Sequence, residues 1–143
     1  GLNFLPPPLS DEYYIDIYIA NTGVVSPEGG SVTLPDQVNG LTMTYYGSDL
    51  PYIIINQDMS LDLLKVTMAH EFFHCIQMSY LPLNQLAEGL NLWLAENSAV
   101  WMEDAVYPFV NDYKNFVNQF LSVPWQSLFT DDYVHLYGAA IFL

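Results

Sequence analysis

Two of the three histidines fall in one pentapeptide, His70-Glu71-Phe72-Phe73-His74. On a helix turning about 100° per residue, positions four apart differ by about 40° and roughly one turn of rise. Both imidazoles then leave one face and meet at one cation, for which imidazole is a good ligand. Glu71 stands about 100° round from His70, beside the metal and not on it. That is the place of a general base for an activated water. The segment is also the most apolar helix of the chain, where an unpaired glutamate is costly and a divalent cation supplies the missing charge.

A catalytic zinc takes three protein ligands and keeps a fourth position for water. The third histidine of the longer HExxHxxGxxH pattern is absent, with Gln77 at its glycine and Tyr80 at its last histidine. The other solution is a carboxylate from a second helix. Residues 93–104 read WLAENSAVWMED and place Glu96 22 positions after His74. That interval holds one connection and a return of the chain.

HEFFH followed by WLAENSAVWMED resembles the gluzincin zinc metallopeptidases, the thermolysin-like and peptidase MA-like families. Trp93, Glu96, Ala99, Trp101 and Glu103 stand at the offsets of the clan's WLNEG-A-aromatic-x-E and W-x-x-EG-A patterns. The resemblance covers about residues 52–143. It implies a zincin-like fold and Glu96 as the third zinc ligand. Asn97 replaces the usual glycine after that glutamate, and Val100 replaces the aspartate that orients a zinc histidine. Glu103, two turns beyond Glu96, either takes over that orientation or is a solvated charge. The glycine-rich motif that recognises a free N-terminus is missing, so the resemblance implies peptidase chemistry without aminopeptidase specificity.

Peptide hydrolysis also needs a donor for the developing oxyanion. The segment His135-Leu136-Tyr137-Gly138-Ala139-Ala140 resembles the Tyr-x-x-Gly-Ala helix start of gluzincins. Aligned on Gly138, the donor position is His135, with Tyr137 as the rival. The two differ by about 200° on a helix, so only one faces the metal. Tyr52-Ile53-Ile54-Ile55 corresponds, by the same resemblance, to the cleft-edge strand that pairs with an extended substrate.

These groups need a scaffold. The pattern predicts strands over residues 13–20, 41–46 and 52–56 and loop over 21–40. In the first strand Ile15, Ile17 and Ile19 take one side and Asp16 and Tyr18 the other. Ser60 then caps a helix over residues 61–80, apolar nearly all round and so internal. Residues 82–91 connect to a helix over 92–106, a third helix spans 110–121, and a fourth runs from His135 to Leu143. Strands followed by helices define an α+β class. The expected architecture is a small mixed or antiparallel sheet on a central HExxH helix, with a mainly helical C-terminal half, all in one domain over residues 1–143. The chain ends inside the apolar run Ile141-Phe142-Leu143, from which continuation of the native protein is expected.

Composition sets the remaining bounds. The chain is 52% hydrophobic and 15% aromatic, which excludes disorder. It carries two lysines, no arginine and sixteen acids, for a net charge of −14. Nucleic acid and anionic membrane surfaces are therefore excluded as partners, and basic peptides are favoured. No apolar run is long enough to insert in a membrane. Cys75 has no partner for an internal disulfide and reads as core. Asp131-Asp132 is a candidate calcium pair, but no spaced ligand series supports it. The expected function is zinc-dependent hydrolysis of extended peptides or proteins by an endopeptidase, secreted or at the cell surface by analogy. The competing expectation is a zinc-stabilised binding module of a larger extracellular protein. A zinc hydrolase of a non-peptide substrate would share every ligand.

Overall fold

A computed structural model describes residues 3–9, 14–24, 30–130 and 132–143. Three strands, β1 (Asp16–Ile19), β2 (Gly40–Thr44) and β3 (Pro51–Ile55), precede five helices. These are α1 (Leu61–Gln77), α2 (Leu83–Leu86), α3 (Gly89–Val106), α4 (Lys114–Leu121) and α5 (Tyr133–Gly138), with a 3-10 turn over Ala139–Phe142. The class is α+β, as the order of patterns predicts.

The sheet is mixed, in the order β1-β3-β2. β1 runs parallel to β3 with Ile17 opposite Ile53, and β2 runs antiparallel to β3 with Thr42 opposite Ile53. β3 is therefore central. It is β-branched throughout its last three residues and buried on both faces, which suits a middle strand. Its Ile53 and Ile55 form a core cluster with Cys75 of α1. Its Ile54 joins Ala20, Val32 and Leu34 on the opposite face. A third cluster, Trp93, Phe120 and Ala139, binds α3 to α4 and the C-terminal turn.

Central placement of β3 corrects the expectation that Tyr52–Ile55 edges the cleft. Both of its ladder sides are taken, so its backbone has nothing to offer a substrate. β2 is the edge strand beside α1. The alternation in β1 is also reversed in its consequence. Ile17 and Ile19 are 51% and 43% exposed, while Tyr18 packs edge-on against Tyr52. β1 is the far edge, so residues sharing the helix-facing side of the sheet with Ile53 lie only half covered.

α1 begins where expected, with Ser60 Oγ accepting from the Leu63 N–H at 3.2 Å. It ends at Gln77 instead of residue 80, in a turn over 78–80. It is not wholly internal: Phe72 is 44% exposed, because sheet and α3 cover only part of its circumference. The supposed connection contains α2, and α3 starts at Gly89, whose φ of +53° turns the chain into the helix. The third helix is shorter than residues 110–121. The fourth starts at Tyr133, capped by Asp132, and passes into the 3-10 turn after Gly138. Gly138 is required there, since an added Cβ would lie 2.4 Å from Phe120 Cβ. The start of the predicted first strand at residue 13, and Asp131 of the candidate calcium pair, lie outside the described residues.

Candidate metal centre

α1 presents His70 and His74 one turn apart, and α3 packs alongside to bring Glu96 to both. His70 Nε2 lies 3.1 Å from Glu96 Oε2, and His74 Nε2 lies 3.6 Å from Glu96 Oε1. One donor atom from each residue falls within 4.8 Å of the other two. Among the described residues this is the one group of three or more metal-ligating side chains so arranged. A tetrahedral ion with bonds of about 2.0–2.1 Å spaces its ligands by roughly 3.3–3.4 Å. The two separations, one to each oxygen of Glu96, lie near that value, and the three side chains are close enough together to hold one metal ion. The close approach of the helices follows from small residues: Ala95 and Ala99 are buried on α3.

The charges lock together. Burial disfavours the His70 imidazolium, but hydrogen bonds to Glu103 and Glu96 outweigh it and lift the His70 pKa from 6.5 to about 10. Burial alone would raise Glu96, yet its contacts with His70 and His74 hold it well below the usual carboxylate range. Burial dominates at Glu103 and pushes its pKa up. Glu103 itself is 7% exposed, with Oε1 2.6 Å from His70 Nδ1. Of the two sequence expectations for Glu103, the structure realises orientation of the histidine.

Glu71 is buried beside the triad. Its carboxylate Oε2 accepts from Thr42 Oγ1 at 2.8 Å, and the same hydroxyl lies 2.9 Å from the Glu71 carbonyl. Gly40 makes the approach of β2 possible. A Cβ there would lie 2.7 Å from Glu71 Cγ and 2.9 Å from Oε1.

The rivals for oxyanion donor separate. Tyr137 stacks on the His70 ring at 5.8 Å between centroids and reaches the cleft beside Glu71 and Glu96. Burial and then the Glu96 charge push its hydroxyl pKa up, so it stays a proton donor. His135 is turned away: it is fully buried, its Nδ1 lies 2.8 Å from Asp132 Oδ1, and its ring meets Phe120. The start of the helix leaves Tyr137, and not His135, among the residues lining the cleft. Asp132 caps α5 through the His135 N–H at 2.8 Å and fixes that side chain on the inner side. The same Asp132 oxygen meets both the backbone N–H and the ring Nδ1 of His135.

A cleft runs past both sides of His70 and Glu71. One lobe, of about 150 Å³, is bordered by Gly40, Glu103, Asp112, Tyr133 and Tyr137. The other, of about 190 Å³, is bordered by Leu41, Thr42, Leu83, Leu86 and Leu92. Cys75 is buried in the core with its thiol pushed up to about 12 by desolvation, as its position predicts.

Sequence reasoning passed over Gly40, Thr42, Gln77 and Asp132. Gln77 had a readable signal, its position three residues after His74 on one helix face. Asp132 also acts locally, three residues before His135, whereas Gly40 and Thr42 act across chain separations that no local spacing reports. No helix of the described residues is long and apolar enough to cross a membrane. Comparison with protein-family models, curated proteins and solved structures gave no match.

Proposed function

We propose that this chain is a zinc-dependent endopeptidase of the gluzincin type, acting on extended peptides. The observation that carries the reading is the convergence of His70, His74 and Glu96 from two helices, with Glu71 beside them. Two imidazoles and a carboxylate are a donor set suited to zinc. Zinc held there would supply Lewis acidity toward a carbonyl and a water acidified to a pKa of about 7.

The chain's own residues do the rest. Glu71 takes a proton from water and returns it to the leaving amine. Tyr137 donates its hydroxyl to the oxygen on which negative charge develops. Glu103 keeps the His70 ring oriented. The free edge of β2 at Gly40–Thr44 offers backbone groups to an extended substrate, in the role expected of β3. The apolar and the acidic lobes on either side of Glu71 accept side chains flanking the scissile bond.

Metal analysis of the purified chain, with cleavage of a mixed peptide library before and after chelation, tests the proposal. The wild type is expected to take up one zinc and cleave. Glu71→Gln is expected to keep the zinc and lose cleavage by about 10²–10⁴-fold. Failure to take up zinc overturns the reading. Zinc uptake with no cleavage of any library peptide replaces it with a zinc-stabilised binding module.

A further inference from the structure

We propose that Gln77 is a positioning residue that fixes the tautomer and orientation of His74 and couples it to the helix bearing Glu96. This rests on His74 being a metal ligand. The Gln77 side chain is pinned at its amide nitrogen: Nε2 donates to the Ala95 carbonyl at 3.0 Å and to Ser98 Oγ at 2.9 Å. A backbone carbonyl only accepts, so the NH₂ group must face α3. Ser98 Oγ spends its own proton on the Leu94 carbonyl at 2.6 Å and is left to accept. The Gln77 Oε1 must therefore face His74, 2.8 Å from Nδ1.

The consequence for His74 follows. Nδ1 carries the proton and donates it to Gln77, and the neutral ring then keeps its lone pair on Nε2, the atom turned toward Glu96. A ligating histidine usually gives its other N–H to such a partner, and losing the partner costs about 10–100-fold in metal affinity. The two histidines are thus held differently. His70 is set by a carboxylate of α3, and His74 by an amide of its own helix anchored to α3 at Ala95 and Ser98. Glu96 lies between those two anchor positions, so the amide also ties the axial register of α1 to the third ligand.

The test uses Gln77→Met, which keeps length and removes both hydrogen-bonding ends, and Gln77→Glu, which keeps the acceptor. Ser98→Ala is a milder variant that loosens only one anchor. Imidazole ¹⁵N NMR of the chelated protein at mildly alkaline pH reads the His74 tautomer without any metal. Zinc affinity by chelator competition and the absorption spectrum of the cobalt-substituted site read the consequence. Wild type and Gln77→Glu are expected to hold the proton on Nδ1. Gln77→Met is expected to lose that preference, bind zinc about 10–100-fold more weakly and show an altered cobalt spectrum. Ser98→Ala is expected to shift each readout in the same direction by less. An unchanged tautomer and affinity in Gln77→Met overturn the proposal. A wild type with the expected tautomer but no zinc uptake overturns the reading of His74 as a ligand and leaves the positioning of its ring supported.

Discussion

Glu103 Oε1 lies 2.6 Å from His70 Nδ1, and both side chains are buried. Seven residues earlier on the same helix, Glu96 reaches the other nitrogen of that ring at 3.1 Å. Two turns of α3 therefore grip one imidazole from both sides, and under the proposed function Glu96 is the ligand and Glu103 the orienting partner. Val100, four residues after Glu96, is fully buried, and the contact with His70 Nδ1 comes from Glu103, nearly one turn later. Glu103→Ala is expected to weaken zinc binding by about 10–100-fold, and Glu103→Gln by less because it keeps an acceptor. Chelator competition measures both. Wild-type affinity in Glu103→Ala would show that the contact is only structural.

The same geometry makes Glu71, the proposed general base, depend on β2. Thr42 donates to the Glu71 carboxylate and holds it against β2. Thr42→Val removes that donor, so kcat is expected to fall while zinc uptake persists, which steady-state kinetics and metal analysis read. Gly40→Ala puts a methyl 2.7 Å from Glu71 Cγ and from Thr67 Cγ2. Backbone and helix must part, at about 1–3 kcal/mol of stability. Catalysis should fall while zinc uptake persists, since neither ligand histidine is touched. Equal loss of zinc and activity in Gly40→Ala would count against a selective effect on Glu71.

What was legible in the sequence was what spacing on one helix determines. His70, Glu71 and His74 are set by the helical period, and Ser60 and the following apolar run mark where that helix starts. Glu96 was legible because it lies on a second strongly patterned helix a short connection away. The sheet was read less well. Ile17, Ile19 and the Ile53–Ile55 run look alike in sequence, but which is central depends on strand order, and β1 joins β3 only after the chain has laid down β2. The choice between His135 and Tyr137 was hidden for a local reason. Asp132 caps the helix earlier than the histidine, and that phase decides which side chain turns inward.

Tyr137 and His135 give a direct contrast. Tyr137→Phe removes one hydroxyl from the cleft and should lower kcat by about 10²–10³-fold with little change in KM. His135→Ala touches no cleft atom. It removes the ring contact to Asp132 while leaving the backbone cap, empties the space beside Phe120 and should cost roughly 1–3 kcal/mol of stability with most of the activity per folded molecule retained. Steady-state kinetics and thermal melts on the two variants separate the roles. A kcat collapse in His135→Ala with a full complement of folded protein would reverse the assignment.

The ion cluster also fixes a pH window. His70 is pulled down by burial but raised further by its hydrogen bonds to Glu103 and Glu96, to about 10 from 6.5. A raised folded value means that its stabilisation is complete below pH 6.5 and is lost as the pH climbs through about 10. Glu96 is held below its ordinary 4.5 by His70 and His74 against the effect of burial, so its stabilisation is complete above that pH and is lost on acidification. The chelated protein should therefore draw most from this cluster between pH 4.5 and 6.5 and lose that contribution on either side. Zinc held at this site would displace the proton on His70, so uptake at neutral pH should release protons, and apparent affinity should rise with pH until about 10. Calorimetry in buffers of different ionisation enthalpy counts the protons, and melts of chelated protein across the range read the stability. Zinc uptake with no proton released at neutral pH would mean that His70 is already neutral, and that Glu103 and Glu96 do not hold its charge.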